Sequence, residues 1–147
     1  MFHWQKSRIR HPFYRNLRVS RATAASGRHT VLAGTFSELE QAANRGACAS
    51  HAVFLLINED DPAANRAQRE RLWTWFQVPS FVLVTDSRGR VIAFECEAQE
   101  GFHLAGKEGE VDDSPLCRCG RPGPRVAELR RTGETADALP LPDRVSA

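Results

Sequence analysis

Four apolar runs and two amphipathic ones alternate through the middle of the chain. Residues 29–34 (HTVLAG) form a short apolar run that predicts a strand. Residues 35–46 (TFSELEQAANRG) predict a helix with its own punctuation. Thr35 is placed to cap it, Glu38 completes a capping box, and Gly46 suits a left-handed stop. Phe36, Leu39 and Ala43 give that helix one apolar face. Residues 51–58 (HAVFLLIN) are continuously apolar and rich in β-branched and aromatic side chains, the pattern of a buried strand. Asp61 and Pro62 read as an N-cap and first helical position, with the helix running to Gln77. Leu72, Trp75 and Phe76 face inward in that reading, and Arg66, Arg69 and Arg71 face solvent. Residues 80–85 (SFVLVT) and 90–95 (RVIAFE) are two further strands joined by the hairpin turn DSRG.

The resulting order, β-α-β-α-β-β, predicts a small layered α/β domain with a mixed sheet over residues 29–131. The first strands are expected to be parallel and joined by crossovers. The last two are expected to form an antiparallel hairpin at or near an edge. After Cys96 the periodicity stops. Glycines and prolines break up residues 96–124, a stretch that cannot build much core and needs another means of being held. Residues 126–131 (VAELRR) suggest a short helix or strand, and 132–147 read as a flexible tail.

Composition changes this picture in one respect. With 41% hydrophobic and 26% charged residues, the 147-residue chain has the make-up of a soluble globular domain. It contains no apolar run of the ~20 residues that span a bilayer and no secretory signal pattern, so a cytoplasmic location is expected. The net charge of +2, however, is unevenly distributed. Residues 1–30 hold seven arginines and lysines and no acid, leaving 13 bases against 18 acids elsewhere. Residues 1–28 therefore read as a basic N-terminal arm in which arginines alternate with Phe2, Trp4, Phe13 and Tyr14. Such an arm can bind nucleic acid through phosphate contacts and base stacking, or serve as a targeting segment or a packed strap.

The chemistry is concentrated in the aperiodic stretch. Cys96-x6-His103-x13-Cys117-x-Cys119 supplies three thiolates and one imidazole, the donor set of a closed tetrahedral structural zinc site. Soft sulfur ligands suit Zn²⁺, and four protein ligands leave no position for substrate or activated water. Cys96 ends a strand, His103 follows a glycine turn, and Gly120 allows a tight Cys-Arg-Cys-Gly knuckle. Backbone N–H groups in that knuckle can donate to the sulfurs. Such a site would clasp residues 96–120 to the domain. Free thiols, a disulfide and a redox pair are the competing readings; the absence of C-x-x-C argues against the last.

The same residues carry a family likeness. ECEAQEGFHL (95–104) followed by CRCGRPGPRV (117–126) resembles two segments of the phenylacetate–coenzyme A ligase family of adenylate-forming enzymes. In that family a Glu-Cys element, Gly-x-His and Cys-x-Cys-Gly-Arg surround a zinc site, which the resemblance carries to Cys96, His103, Cys117 and Cys119. The stretch 69–81 (RERLWTWFQVPSF) also fits, so the likeness covers residues 69–126. The ATP motif that precedes the Glu-Cys element in the family is absent. In its register stand Val84, Thr85, Asp86, Ser87 and Arg88. A phosphate loop is missing, and neither Lys6 nor Lys107 sits in an adenylation context. The resemblance therefore implies a scaffold without its active site.

Other candidates have plainer explanations. Asp60-Asp61 and Asp112-Asp113 suit capping and turns. Cys48, three residues before His51, reads as a small buried cysteine. Trp73, Trp75 and Phe76 read as packing residues of the second helix, and an exposed tryptophan there would mark a partner surface. Three functions are expected in descending order: a non-catalytic zinc-binding module acting through a protein partner or as a structural accessory, one part of a split acyl- or aryl-adenylating enzyme, and a nucleic-acid-binding protein using residues 1–28.

Overall fold

In a computed structural model the chain is described over residues 11–59, 65–107 and 116–126. It is a mixed α/β fold built on one seven-stranded sheet. The strands are β1 (Val19–Arg21), β2 (Arg28–Gly34), β3 (Cys48–Asn58), β4 (Ser80–Thr85), β5 (Val91–Phe94), β6 (Phe102–Leu104) and β7 (Arg125–Val126). They lie side by side in chain order. Strands β1 to β4 are parallel, and each pair from β4 to β7 is antiparallel. A 3₁₀ turn (Ala22–Ala24), helix α1 (Phe36–Asn44) and helix α2 (Arg66–Phe76) make the three parallel connections. Among the described residues no helix is long and apolar enough to cross a membrane.

The alternation of each strand sorts its side chains between two apolar layers. Leu32, Val53, Leu55, Val82 and Val84 meet Leu39 and Ala42 of α1 and Leu72 and Phe76 of α2. Val31, Ala33, Phe54, Leu83 and Phe94 form the layer on the opposite face. Among the described residues no helix covers that second layer. Instead Phe13, Tyr14 and Leu17 lie on it, and His11 is wholly buried. Within the segment read as a basic arm, these residues lie against the sheet and Val19–Arg21 form its edge strand. The rings of the HPFY run gain apolar burial that outweighs their basic surroundings.

Helix α1 obeys its punctuation. Thr35 Oγ1 accepts the Glu38 N–H at 3.2 Å, and Gly46 adopts φ +83°. The reciprocal half of the capping box is diverted: Glu38 accepts from Arg21 and Thr23 at 3.2 and 3.3 Å, tying the helix start to the β1 crossover. Arg45, just past α1, donates to the carbonyls of Ala22, Thr23 and Ala25 and holds the 3₁₀ turn in place. Gly34 is needed there, because a Cβ would stand 2.9 Å from Ala22 Cβ.

Three other expectations change. Helix α2 starts at Arg66 under an Asn65 cap, whose side chain accepts the Gln68 N–H at 2.8 Å; Asp61 and Pro62 lie outside the described residues. Arg69, expected to be solvated, pairs with the buried carboxylate of Glu95 at 2.7 Å. The β4–β5 hairpin is interior to the sheet, since β6 and β7 extend it. Those short strands arise in the stretch without periodicity, and the side chains around them explain how they are held.

Candidate metal centre

Strand β5 ends at Phe94, and Cys96 continues its alternation two residues on. The antiparallel register sets Phe94 opposite His103, so both project to the face carrying residues 11–17. The imidazole stacks on Phe94 with ring centroids 5.4 Å apart and planes 16° from parallel. Cys117 and Cys119 arrive from the turn ahead of β7, where Gly120 has φ +78° and its N–H donates to the Cys117 carbonyl at 2.9 Å.

These four residues, and no others among the described ones, form such a group: all four ligand atoms lie within 4.8 Å of one another. The Cys96 and Cys117 sulfurs are 3.5 Å apart, and Cys119 Sγ is 3.6 Å from His103 Nε2. A tetrahedral ion with metal–sulfur bonds of about 2.3 Å and metal–nitrogen bonds of about 2.05 Å requires edges of roughly 3.8 and 3.6 Å. These two separations lie within about 0.3 Å of those figures. Cys96, His103 and Cys117 are buried and Cys119 is half-buried, so the residues can bind a metal ion away from bulk water. All four cysteines of the chain are free thiols, which removes the disulfide reading.

Second-layer contacts prepare the sulfurs for charge. The N–H of Ala98 donates to Cys96 at 3.4 Å and that of Arg121 to Cys119 at 3.5 Å. Burial pushes the Cys96 thiol up to about 12. Burial also opposes ionisation of Cys117, but the Cys119 N–H, the neighbouring thiols and the Arg125 charge outweigh it and hold Cys117 below its usual value. Without a cation one sulfur of this pair therefore ionises far more readily than the other. A divalent ion bound there would offset the repulsion between thiolates and displace the remaining protons.

Beside the ligands, residues 11–17 close the site. Phe13 stands edge-on to both Phe94 and His103, at 4.9 and 5.0 Å. The Arg121 guanidinium lies 4.3 Å above the Phe13 ring and donates to both oxygens of Glu97 at 2.7 Å. Tyr14 donates to the same carboxylate. Burial works against the charge on Glu97, yet the Tyr14 and Arg121 hydrogen bonds bring it down to about 2. His11 accepts the Phe13 N–H at Nδ1, 3.1 Å, and donates from Nε2 to the Glu95 carbonyl at 2.5 Å. That pattern fixes the neutral tautomer, and burial lowers the imidazole to about 4. Sequence reasoning singled out the four ligands and missed His11, Glu95, Glu97 and Arg121. The HPFY run among arginines is the one signal that pointed toward His11.

The other sequence candidates are not brought together. Cys48 is exposed rather than buried, and its thiol points to the Gly27 carbonyl at 3.6 Å. His51 Nδ1 instead lies 2.7 Å from Ser50 Oγ. Asp60, Asp61, Asp112 and Asp113 lie outside the described residues, as do residues 1–10 of the basic segment with Trp4. Phe13 and Tyr14, offered for base stacking, are packed against the sheet. Thr85–Arg88, in the register of the ligase ATP motif, form the end of β4 and its hairpin turn.

No protein-family model matches the chain, and no curated protein matches it.

Proposed function

We propose that this chain is a non-catalytic zinc-binding α/β module of the cytoplasm that acts as an interaction or structural accessory protein. The convergence of three sulfurs and one imidazole nitrogen within 4.8 Å carries the reading. The soft donor set suits zinc, and four protein ligands fill a tetrahedron. Zn²⁺ with three thiolates would bear one net negative charge, and Arg125, whose charge already lowers the Cys117 thiol, stands in β7 to offset it. The role follows from what the site lacks as chemistry: a saturated ion neither activates water nor polarises a substrate. Trp73, 57% exposed on α2, is the side chain best placed to meet a protein partner.

Elemental analysis of protein purified without added metal tests this. We expect about one zinc per chain, lost in Cys117→Ser. Zinc-free wild-type protein that keeps residues 116–126 ordered would overturn the structural role. Carboxylate-dependent pyrophosphate exchange with ATP would instead favour the split adenylating enzyme.

A further inference from the structure

We infer that the edge of the sheet remote from the metal centre carries a binding site for a phosphate group. A cavity of about 610 Å³ opens at the starts of β1, β2 and β3. Its lining includes two guanidinium groups, Arg18 and Arg28, with the hydroxyls of Ser20, Thr30 and Ser50, and contains no carboxylate. It shares no residue with the metal centre, and β4 separates its strands from β5 and β6.

What sets these two arginines apart is that they share one concavity; Arg15, Arg71 and Arg88 also pair with no acid among the described residues but do not line it. Arg21, Arg66, Arg69, Arg90, Arg118 and Arg121 each pair with an acid. Arg18 and Arg28 pair with none among the described residues, and both are exposed at the cavity. Two like charges brought to one concavity without a counter-charge repel each other and focus a positive potential into it. A dianion relieves that repulsion. Planar guanidinium forks match phosphate oxygens in pairs, and hydroxyl groups complete the donor set.

The backbone is adapted at the same place. Pairing between β2 and β3 passes from His29↔Ala49 to Val31↔Ala52, so β3 carries an extra residue where Thr30 faces Ser50 and His51. Such a bulge interrupts the ladder and re-aims side chains, and bulges of this kind concentrate beside functional sites. His29 forms one wall and is itself held, its Nε2–H donating to the Ser26 carbonyl at 2.8 Å. The ligand class is a small molecule bearing a phosphate monoester, or phosphate itself.

The site is tested by titrating the full-length, metal-loaded protein with inorganic phosphate, with sodium chloride adjusted to hold ionic strength constant. Backbone amide shifts are followed by NMR. We expect saturable shifts confined to residues around Ser20, Thr30 and Ser50. Arg18→Gln and Arg28→Gln should each weaken binding at least tenfold, the loss of about one charge-assisted hydrogen bond. Arg71→Gln, an exposed arginine on α2 away from the cavity, should leave it unchanged. A simple alkyl phosphate monoester run in parallel distinguishes the sources: tighter binding than phosphate assigns the site to an ester, equal or weaker binding to the free ion. Non-saturating shifts, shifts spread over all exposed arginines, or equal losses in Arg71→Gln would overturn the proposal.

Discussion

Removing the metal should release residues 116–126 and spare the central strands of the sheet. Residues 116–126, eleven in all, contribute only Cys117 to the buried set, while Leu116 is 76% exposed. Fixing their backbone costs about 1–2 kcal/mol per residue, roughly 11–22 kcal/mol together. Burial within the segment offsets little of this, whereas a structural zinc contributes about 10–16 kcal/mol of apparent binding energy. The two figures agree within a few kcal/mol, so the clasp stands or falls with the ion. Hydrogen–deuterium exchange before and after chelation reads this directly. The amides of Gly120 and of Leu104, which donates to the Pro124 carbonyl at 3.2 Å, should lose protection. The amides of Val53 and Glu95, bonded to Pro79 and Val82 at 3.0 and 2.9 Å, should keep most of theirs. Cys119→Ser should give the same pattern without chelator. Unchanged protection at Gly120 and Leu104 in protein shown to be metal-free would refute the reasoning.

Further outcomes follow from the contacts around the site. Arg69→Met strips the partner from the buried Glu95 carboxylate and should cost about 3–5 kcal/mol in urea denaturation, part of it recovered by adding Glu95→Gln; a loss below about 1 kcal/mol would show that Glu95 is not held as described. Arg121→Gln removes a cation–π contact and a forked ion pair that are partly solvated, and should cost about 1–2 kcal/mol. His11 is lowered from 6.5 to about 4 in the fold, so the unfolded chain takes up its proton first as the solution is acidified. Its contribution is fully present above pH 6.5 and is lost as pH falls toward 4, amounting to about 3 kcal/mol. Stability against pH for wild type and His11→Gln, both metal-loaded, should therefore differ in slope only within that window. An NMR titration placing the His11 midpoint near 6.5 would contradict this.

The elements that could be read from sequence are those whose signal is local. The apolar runs at 29–34, 51–58 and 80–85 and the Thr35 cap announce themselves within a few residues, and β2, β3, β4 and α1 appear there. The ligand set was legible because thiols and imidazoles are rare and their chemistry is narrow. What was not legible depends on partners far along the chain. Strand β6 is three residues and β7 two, too short for any period; His103 lies in β6, and Cys117 and Cys119 lie just ahead of β7. Strand β1 has the sequence VSR, which no strand pattern selects; its pairing with β2 and the Arg45 hydrogen bonds hold its crossover. Arg69 sits in a charged helical stretch and was assigned to solvent. Its partner Glu95 lies 26 residues away, and nothing in either neighbourhood signals the pair.

The candidate metal site and residues 11–17 are joined by direct contacts, so a metal bound at the one should bear on the other. Phe13 touches a ligand, His103, on one side and is capped on the other by Arg121, two residues beyond the ligand Cys119. Tyr14 and Arg121 share Glu97, which follows the ligand Cys96. Each piece alone is poorly held: the turn 116–120 has almost no core, and residues 11–17 belong to no element of the sheet. An ion bound by Cys96 and Cys119 would fix both residues and their neighbours, and with them both ends of the Glu97–Arg121 clamp. The entropy of ordering that clamp is then already spent when the Phe13 and Tyr14 rings arrive. Metal binding in this fold should therefore secure not only the C-terminal turn but also the N-terminal layer over the second core, linking two segments about a hundred residues apart in the chain.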